Sequence, residues 1–312
     1  MPDAIDCAGP PRAMTVSRQP RPGNPRPFRQ GAPRRPAHSA DARSVPGALS
    51  WLALLALLLT PALPVASGTD PAQLDAAARI TVVYDNVPHA PGVRTAWGFA
   101  AVVDTGEERV LFDTGGDGEI LLHNMARLGI APESIDAVML SHIHGDHTGG
   151  LKAFLDRYPL VTVYVPESFR TAFVHNLRRR GTKVELVAGP RHLRANLYST
   201  GELGEAPKEQ GLIIETPGGL VVLTGCAHPG VVAMAQAAHA YRGREIRLLM
   251  GGFHLRSHSP RELERTLQAL QDLGVRRVAP SHCTGSKAIT SFRERWGAHF
   301  IPSGCGAVIE AR

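Results

Sequence analysis

Ten consecutive residues, Ser141-His-Ile-His-Gly-Asp-His-Thr-Gly-Gly150, constrain this chain more than any other stretch of it. Four metal-ligand types, His142, His144, Asp146 and His147, directly follow the apolar run Ala137 to Leu140, which predicts a short buried strand. On an extended backbone residues two apart point the same way, so His142 and His144 can address one cation. Asp146 and His147, past the bend at Gly145, can address another. Imidazoles with one carboxylate suit zinc first, then manganese or iron, and two such cations side by side can hold and deprotonate one water between them. As mere polar residues, three histidines and an aspartate crowded at a strand end would be costly to bury unpaired.

Three further histidines stand just past apolar runs, where a sheet would aim them at the same rim. His228 follows Val221-Val-Leu-Thr-Gly-Cys-Ala, His254 follows Leu248-Leu-Met-Gly-Gly-Phe, and His282 follows Val278-Ala-Pro-Ser. Two cations with three or four protein ligands each need about six to eight donors. His142, His144, Asp146, His147, His228 and His282 supply six, and Cys226 is a further candidate. His254 suits either a ligand or a group that holds or protonates substrate, so Asp146 and His254 are the candidate catalytic residues. Asp113, at the end of Val110 to Phe112, is suited by type to orient a ligand imidazole. His89, His123, His175, His192, His239, His258 and His299 lack this context and are read as ordinary polar residues.

From Ile80 onward, short β-branched runs alternate with helical spacing. Strands are expected at Ile80–Tyr84, Phe99–Val103, Val110–Phe112, Val161–Val165, Val184–Val187, Leu197–Ser199, Ile246–Met250, Arg277–Ala279 and Ala307–Ile309. Leu212–Glu215 and Leu220–Leu223 read as a hairpin across Thr216-Pro-Gly-Gly. Helices are expected at Gly118–Leu128, Gly149–Tyr158, Glu167–Arg179, Pro229–Tyr241, a capped segment from Ser259 to Leu273, and Ala288–Trp296. Many strands broken by helices in both halves fit an α/β (α+β) architecture of two mixed sheets flanked by helices.

The N-terminal part reads differently. Residues 1–45 are rich in Pro, Arg, Gly and Ala without apolar periodicity, and a disordered leader is expected there. Residues 46–67 contain the uncharged run Ala48 to Ala66, followed by small residues suited to signal peptidase, with Pro61 and Pro64 breaking its far end. A cleaved signal, and hence export to a periplasmic or secreted location, is the first expectation, and an N-terminal membrane anchor the alternative. Residues 68–312 are then the catalytic domain.

The formal charge of +6 is mostly this leader: residues 1–67 carry eight arginines against three acids, and the remainder 26 basic against 25 acidic residues. A near-neutral body offers no field for a polyanion, so the expected partner is a small-molecule substrate rather than nucleic acid. A membrane enters only if the apolar segment is retained. Cys226, Cys283 and Cys305 leave an odd number in the body, and two of them adjoin histidines, which favours metal proximity or buried thiols over a disulfide framework.

The His142-x-His144-x-Asp146-His147 pattern resembles the signature of the metallo-β-lactamase superfamily. Leu111-Phe-Asp-Thr-Gly, Thr224-Gly-Cys-Ala-His228-Pro-Gly, Gly251-Gly-Phe-His254-Leu and His282-Cys-Thr-Gly are similar to its 7,8-dihydropterin-6-yl-methyl-4-(ribofuranosyl)aminobenzene 5′-phosphate synthase-like subfamily. The resemblance runs from about Ile80 to Glu310. It implies an αββα sandwich with a dinuclear site in a groove at the sheet edges, with His142, His144, Asp146, His147 and His282 at metal-ligand positions and Asp113 at the aspartate ending an early strand. The chain departs from the wider pattern where Thr224-Gly225 is followed by Cys226 instead of a bridging aspartate, and His228 stands in for a separate ligand histidine. The expected activity is a metal-dependent hydrolase, with two divalent ions, zinc before manganese or iron, delivering hydroxide to an ester, phosphoester or amide. The alternatives are an iron-dependent oxygenase or sulfur dioxygenase with Cys226 as a soft ligand, and a pterin-related synthase.

Overall fold

A computed structural model of the chain describes residues 78–312. The leader expected at 1–45 and the apolar segment at 46–67 lie outside the described residues.

The first half runs β1 (Ala78–Asp85), β2 (Phe99–Asp104), β3 (Arg109–Phe112), α1 (Gly118–Arg127), β4 (Ala137–Met139), α2 (Gly145–Thr148), α3 (Leu151–Arg157), β5 (Thr162–Pro166), α4 (Thr171–Arg179) and β6 (Lys183–Val187). The second runs β7 (Arg191–Arg194), β8 (Leu197–Ser199), β9 (Leu212–Thr216), β10 (Gly219–Thr224), α5 (Val231–Arg242), β11 (Ile246–Gly252), α6 (Pro260–Asp272), β12 (Arg277–Ser281), α7 (Ser286–Trp296) and β13 (Val308–Ala311). The strands form two sheets, ordered β13-β1-β2-β3-β4-β5-β6 and β12-β11-β10-β9-β8-β7. The last strand returns to the first sheet, pairing antiparallel with β1 at Ile80 and Ile309.

The continuous apolar runs follow from burial of both sheet faces. Ile80, Val82, Phe112 and Met139 share the inner core with Ile214, Val221, Leu223 and Met250. Alternate positions turn outward: Leu111, Val138 and Val163 pack with Leu121 and Met125 of α1 and Phe154 of α3. In the other half Val222, Leu249 and Val278 pack with Met234 of α5, Leu267 of α6 and Phe292 of α7. The layers are therefore helix, sheet, sheet, helix, the αββα sandwich. Each such side chain contributes about 1.5–3 kcal/mol when fully buried, so all four layers depend on the period-two pattern.

Both sheets begin as antiparallel meanders and continue as parallel strands. β3, β4, β5 and β6 pair in parallel, as do β10, β11 and β12. Parallel strands joined by helices leave their C-terminal ends along one rim, the place where open α/β sheets put ligand-binding loops. Asp113 follows β3, Ser141 to His147 follow β4, Cys226 to His228 follow β10, His254 follows β11 and His282 follows β12.

Some boundaries differ from expectation. The helix expected from Gly149 starts two residues later, at Leu151, after a separate short helix over Gly145–Thr148, and between them the backbone at Gly149 and Gly150 is pressed against the loop after β3. A Cβ on Gly150 would lie 2.1 Å from the carbonyl oxygen of Thr114. The helix expected from Glu167 starts at Thr171, since the Glu167 N–H is held in the sheet by the Val187 carbonyl at 3.0 Å. The strand Arg191–Arg194 carries no apolar signal because it is an edge strand, half exposed and paired only with β8. The box at Ser259 and Glu262 caps α6 as the sequence suggests, and Thr216 pairs with Gly219 across the expected hairpin.

Candidate metal centre

The centre is built outward from one fully buried carboxylate. Asp113 accepts the Ser141 N–H at 2.7 Å on Oδ1 and the Ser141 hydroxyl at 2.7 Å on Oδ2, and Oδ2 also meets His147 Nδ1 at 2.8 Å. A carboxylate only accepts, so His147 donates from Nδ1 and turns Nε2 inward. Ser141, having given its proton to Asp113, accepts from His142 Nδ1 at 2.9 Å. Asp113 therefore fixes the tautomer of two imidazoles, one directly and one through a serine. Gly225 makes room for this contact, since a Cβ there would fall 2.1 Å from Ser141 Oγ.

A second buried carboxylate organises the opposite loop. Glu209 Oε1 accepts N–H groups of Gly225, Cys226 and Ala227 at 3.1, 2.9 and 2.8 Å. Its Oε2 accepts the His228 N–H at 3.0 Å and faces His228 Nδ1 at 2.9 Å. His228 is thereby held with Nε2 turned away from its anchor. The neighbouring Gln210 locks the first loop, donating to the Leu140 carbonyl at 2.9 Å, while its own N–H reaches the Ser141 carbonyl at 2.9 Å. His282 is set by Asn86, whose carbonyl oxygen lies 2.7 Å from Nδ1 and whose amide donates to the His282 carbonyl at 3.4 Å. Its Nε2 is buried with no hydrogen-bond partner.

The free ring nitrogens converge. His142 Nε2 lies 3.2 Å from His144 Nδ1, close to the ~3.3 Å that two nitrogens at 2.0–2.1 Å from one tetrahedral zinc would have. His142, Cys226 and His228 bring donor atoms within 4.8 Å of one another, and so do Asp146, His147, Cys226 and His282. In the second set Asp146 Oδ2 is 3.5 Å from His147 Nε2 and 3.4 Å from His282 Nε2, and Cys226 Sγ is 3.2 Å from His147 Nε2. The orphaned His282 Nε2 and this donor spacing fit a divalent cation in each set, with Cys226 between them. A third set joins Cys226, His254 and Cys283. None of the seven histidines read as ordinary polar residues enters these sets; His192 and His239 instead face backbone carbonyls.

Backbone strain concentrates here. Four of the five positive-φ residues other than glycine in the described chain are Asp113, Ala227, His254 and His282, at φ 57°, 60°, 52° and 50°. Such conformations persist only where the surroundings over-determine them.

Burial and mutual repulsion set the charges. Burial, followed by repulsion from His147, drives His142 down to about 2, which keeps it in the neutral ligand form. Burial would also lower His147, yet Asp113 and Asp146 raise it to about 10. Against their own burial, Asp146 is held well below the carboxylate range by His147 and His282, and Glu209 by His228 and the backbone N–H groups. Hydrogen bonding to Cys283 and burial push the Cys226 thiol up, while Cys283, despite burial, is held low by Cys226 and His254. A cation entering the second set must displace the proton on His147.

Every candidate ligand named from sequence thus lies at one rim. Cys283, expected from its place beside His282 to be near metal or a buried thiol, is buried and joins the third set, whereas Ser141, Glu209, Gln210 and Asn86 carry no role in the sequence reading. Ser141 could have been suspected from its place inside the ligand motif, whereas Glu209, Gln210 and Asn86 sit in loops with no motif of their own.

Comparison with known proteins gives the same picture. A family model described as the metallo-beta-lactamase superfamily matches residues 98–282. The chain is 29% identical over 249 residues, covering 65% of this chain and 85% of the relative, to 7,8-dihydropterin-6-methyl-4-(beta-D-ribofuranosyl)-aminobenzene-5'-phosphate synthase of Methanocaldococcus jannaschii. A crystal structure of Tm1679, described as a metal-dependent hydrolase of the beta-lactamase superfamily, is similar at 27% identity and TM-score 0.62, covering 75% of this chain and 99% of the other. The fold is also that of YhfI from Bacillus subtilis, at 15% identity and TM-score 0.58, covering 76% of this chain and all of that one.

Proposed function

The chain belongs to the metallo-β-lactamase superfamily, and from that premise we propose that it is a metal-dependent hydrolase of a small-molecule ester, phosphoester or amide. The observation that carries the reading is the anchoring of His142, His147, His228 and His282 through Nδ1, so that their remaining nitrogens meet around Asp146 and Cys226. Divalent cations, zinc before manganese or iron, held by His142, His144 and His228 and by Asp146, His147 and His282, with Cys226 between, would polarise the scissile oxygen and bring the pKa of water from about 15.7 to ~7.

The chain's own residues supply the rest. Asp146, low in pKa and 21% exposed at its side chain, stays ionised and offers a second oxygen to a nucleophilic water. His254 is exposed at the mouth, 4.6 Å from the His228 ring between centroids, and its contact with Cys283 raises its pKa. It is therefore placed to protonate a leaving group on the solvent side.

Elemental analysis of purified protein should find bound divalent metal that falls sharply in His142→Ala/His144→Ala. A panel of phosphoester, lactone, lactam and thioester substrates should show metal-dependent turnover of at least one class. Metal-free protein whose content is unchanged by the double substitution would refute the reading. The printed name of the Methanocaldococcus relative supports a second reading, a synthase that condenses rather than hydrolyses, which product analysis with a dihydropterin carrying a leaving group on its 6-methyl carbon and 4-(β-D-ribofuranosyl)aminobenzene 5′-phosphate as acceptor would separate from hydrolysis. The apolar run Ala48 to Ala66 supports export, and fractionation of cells tests it.

A further inference from the structure

Trp97 is one of only four large apolar side chains left exposed among the described residues, at 48%, and it is the one that touches the candidate centre. Its ring lies 4.8 Å from that of His282, tilted by 50°. An exposed tryptophan is free to wander unless its backbone is pinned, and here it is. The next residue, Gly98, has φ 141°, and a Cβ there would be 2.4 Å from the Asp146 carbonyl oxygen. The Trp97 carbonyl in turn lies against Gly116, 3.1 Å from where its Cβ would be.

Across the ring stands Arg256, with Cζ 5.9 Å from the ring centroid. It shares the loop after β11 with His254, and the buried Leu255 between them anchors that loop. Among the described residues its guanidinium has no carboxylate or hydrogen-bond partner, in contrast to Arg242 and Arg244, which share Glu215. The two contacts place Arg256 Cζ no more than 10.7 Å from the His282 ring centroid, the sum of 4.8 and 5.9 Å. An aromatic platform, an unneutralised planar cation and the ligand cluster thus follow one another along the mouth.

We propose that Trp97 and Arg256 select the substrate: a small molecule that lays a flat or apolar portion on Trp97 and offers a phosphate or carboxylate to Arg256 while its reacting bond reaches the histidine cluster. This rests on the hydrolase reading and names its substrate class. Arg is suited to the task because its fork matches either oxyanion through paired N–H donors and stacks on an aromatic face.

Calorimetric titration of zinc-loaded protein tests this without turnover, using benzyl phosphate, phenylacetate and neutral benzyl alcohol as probes, with methyl phosphate to report anion binding lacking the ring. Arg256→Gln should weaken the preferred anionic probe about tenfold and leave benzyl alcohol unchanged, and the larger loss of the two identifies phosphate or carboxylate as the group recognised. Trp97→Ala should weaken benzyl phosphate about tenfold and methyl phosphate less than twofold. Both side chains are exposed, so the variants keep the fold. Equal affinity of parent and Arg256→Gln for both ringed anions, or equal losses of benzyl and methyl phosphate in Trp97→Ala, would overturn the proposal. Arg256-dependent binding in a protein without hydrolytic turnover would sink the hydrolase reading alone.

Discussion

Glu209 is the residue whose replacement most directly tests how the centre is held. Its carboxylate is fully buried and takes five donors: four backbone N–H groups of residues 225–228 and His228 Nδ1. In Glu209→Gln one oxygen can keep its three partners, but an NH2 group then faces the His228 N–H and Nδ1, donor against donor. Two hydrogen bonds to a charged group, at about 1.5–3 kcal/mol each, are lost, giving about 3–6 kcal/mol. Relief of charge burial does not cancel this, because the depressed pKa shows that the donors outweigh the burial cost. At roughly 2–4 °C per kcal/mol for a domain of this size, the midpoint of the chelator-treated protein should fall by about 6–24 °C. Metal affinity should fall as well, since His228 loses the partner that orients it. The assay is thermal unfolding in chelator together with metal titration of the parent and variant. A midpoint within ~1 °C of the parent would refute the account of Glu209 as the anchor of this loop.

Other expectations are independent of that one. Asp113→Asn places an amide against Ser141 or His147, disturbs the tautomer of the ligand ring, and should lower metal affinity about 10–100-fold by competition with a fluorescent chelator. Cobalt-substituted protein should show thiolate-to-metal charge-transfer absorption that disappears in Cys226→Ser; an unchanged spectrum would exclude sulfur as a ligand. Burial lifts Asp85 from 3.8 to about 6, so the folded state holds its proton longer than the unfolded chain. Stability should therefore fall as pH rises from about 4 to 6, by at most about 3 kcal/mol at 1.36 kcal/mol per pKa unit, and Asp85→Asn should abolish this drop in urea titrations of metal-free protein.

The ligands were legible because their local context is strong. A polar group directly after a continuous apolar run must sit at a buried strand's end, and five such ends pointed one way. The two-sheet core was legible from the same period-two pattern. What could not be read were the partners that act across long sequence distances. Glu209 reaches residues 225–228, Gln210 reaches Leu140, and Asn86 reaches His282, 196 positions away. Each sits in a loop of ordinary composition, and its importance comes only from packing. The late start of α3 escaped for a related reason, since helical spacing within the segment carries no information about the loop pressed against Gly149 and Gly150.

The distribution of ligands between the halves has an energetic consequence. The first sheet supplies His142, His144, Asp146 and His147, and the second supplies Cys226, His228 and His282, so the two sets that contain these histidines draw on both, whereas Cys226, His254 and Cys283 all belong to the second. Neither half alone can complete the set of His142, Cys226 and His228 or that of Asp146, His147, Cys226 and His282. The loops are already cross-linked without metal, because Gln210 of the second half grips the strand end of the first, and Gly225 packs on Ser141. That preorganisation lowers the ordering cost of binding, and burial, together with repulsion from His147, keeps His142 neutral, so that this ring can take a cation without first losing a proton. Asp113 and Glu209 face the imidazoles of His147 and His228 from behind, through Nδ1, so each turns an Nε2 toward the cluster without occupying the rim where substrate must enter.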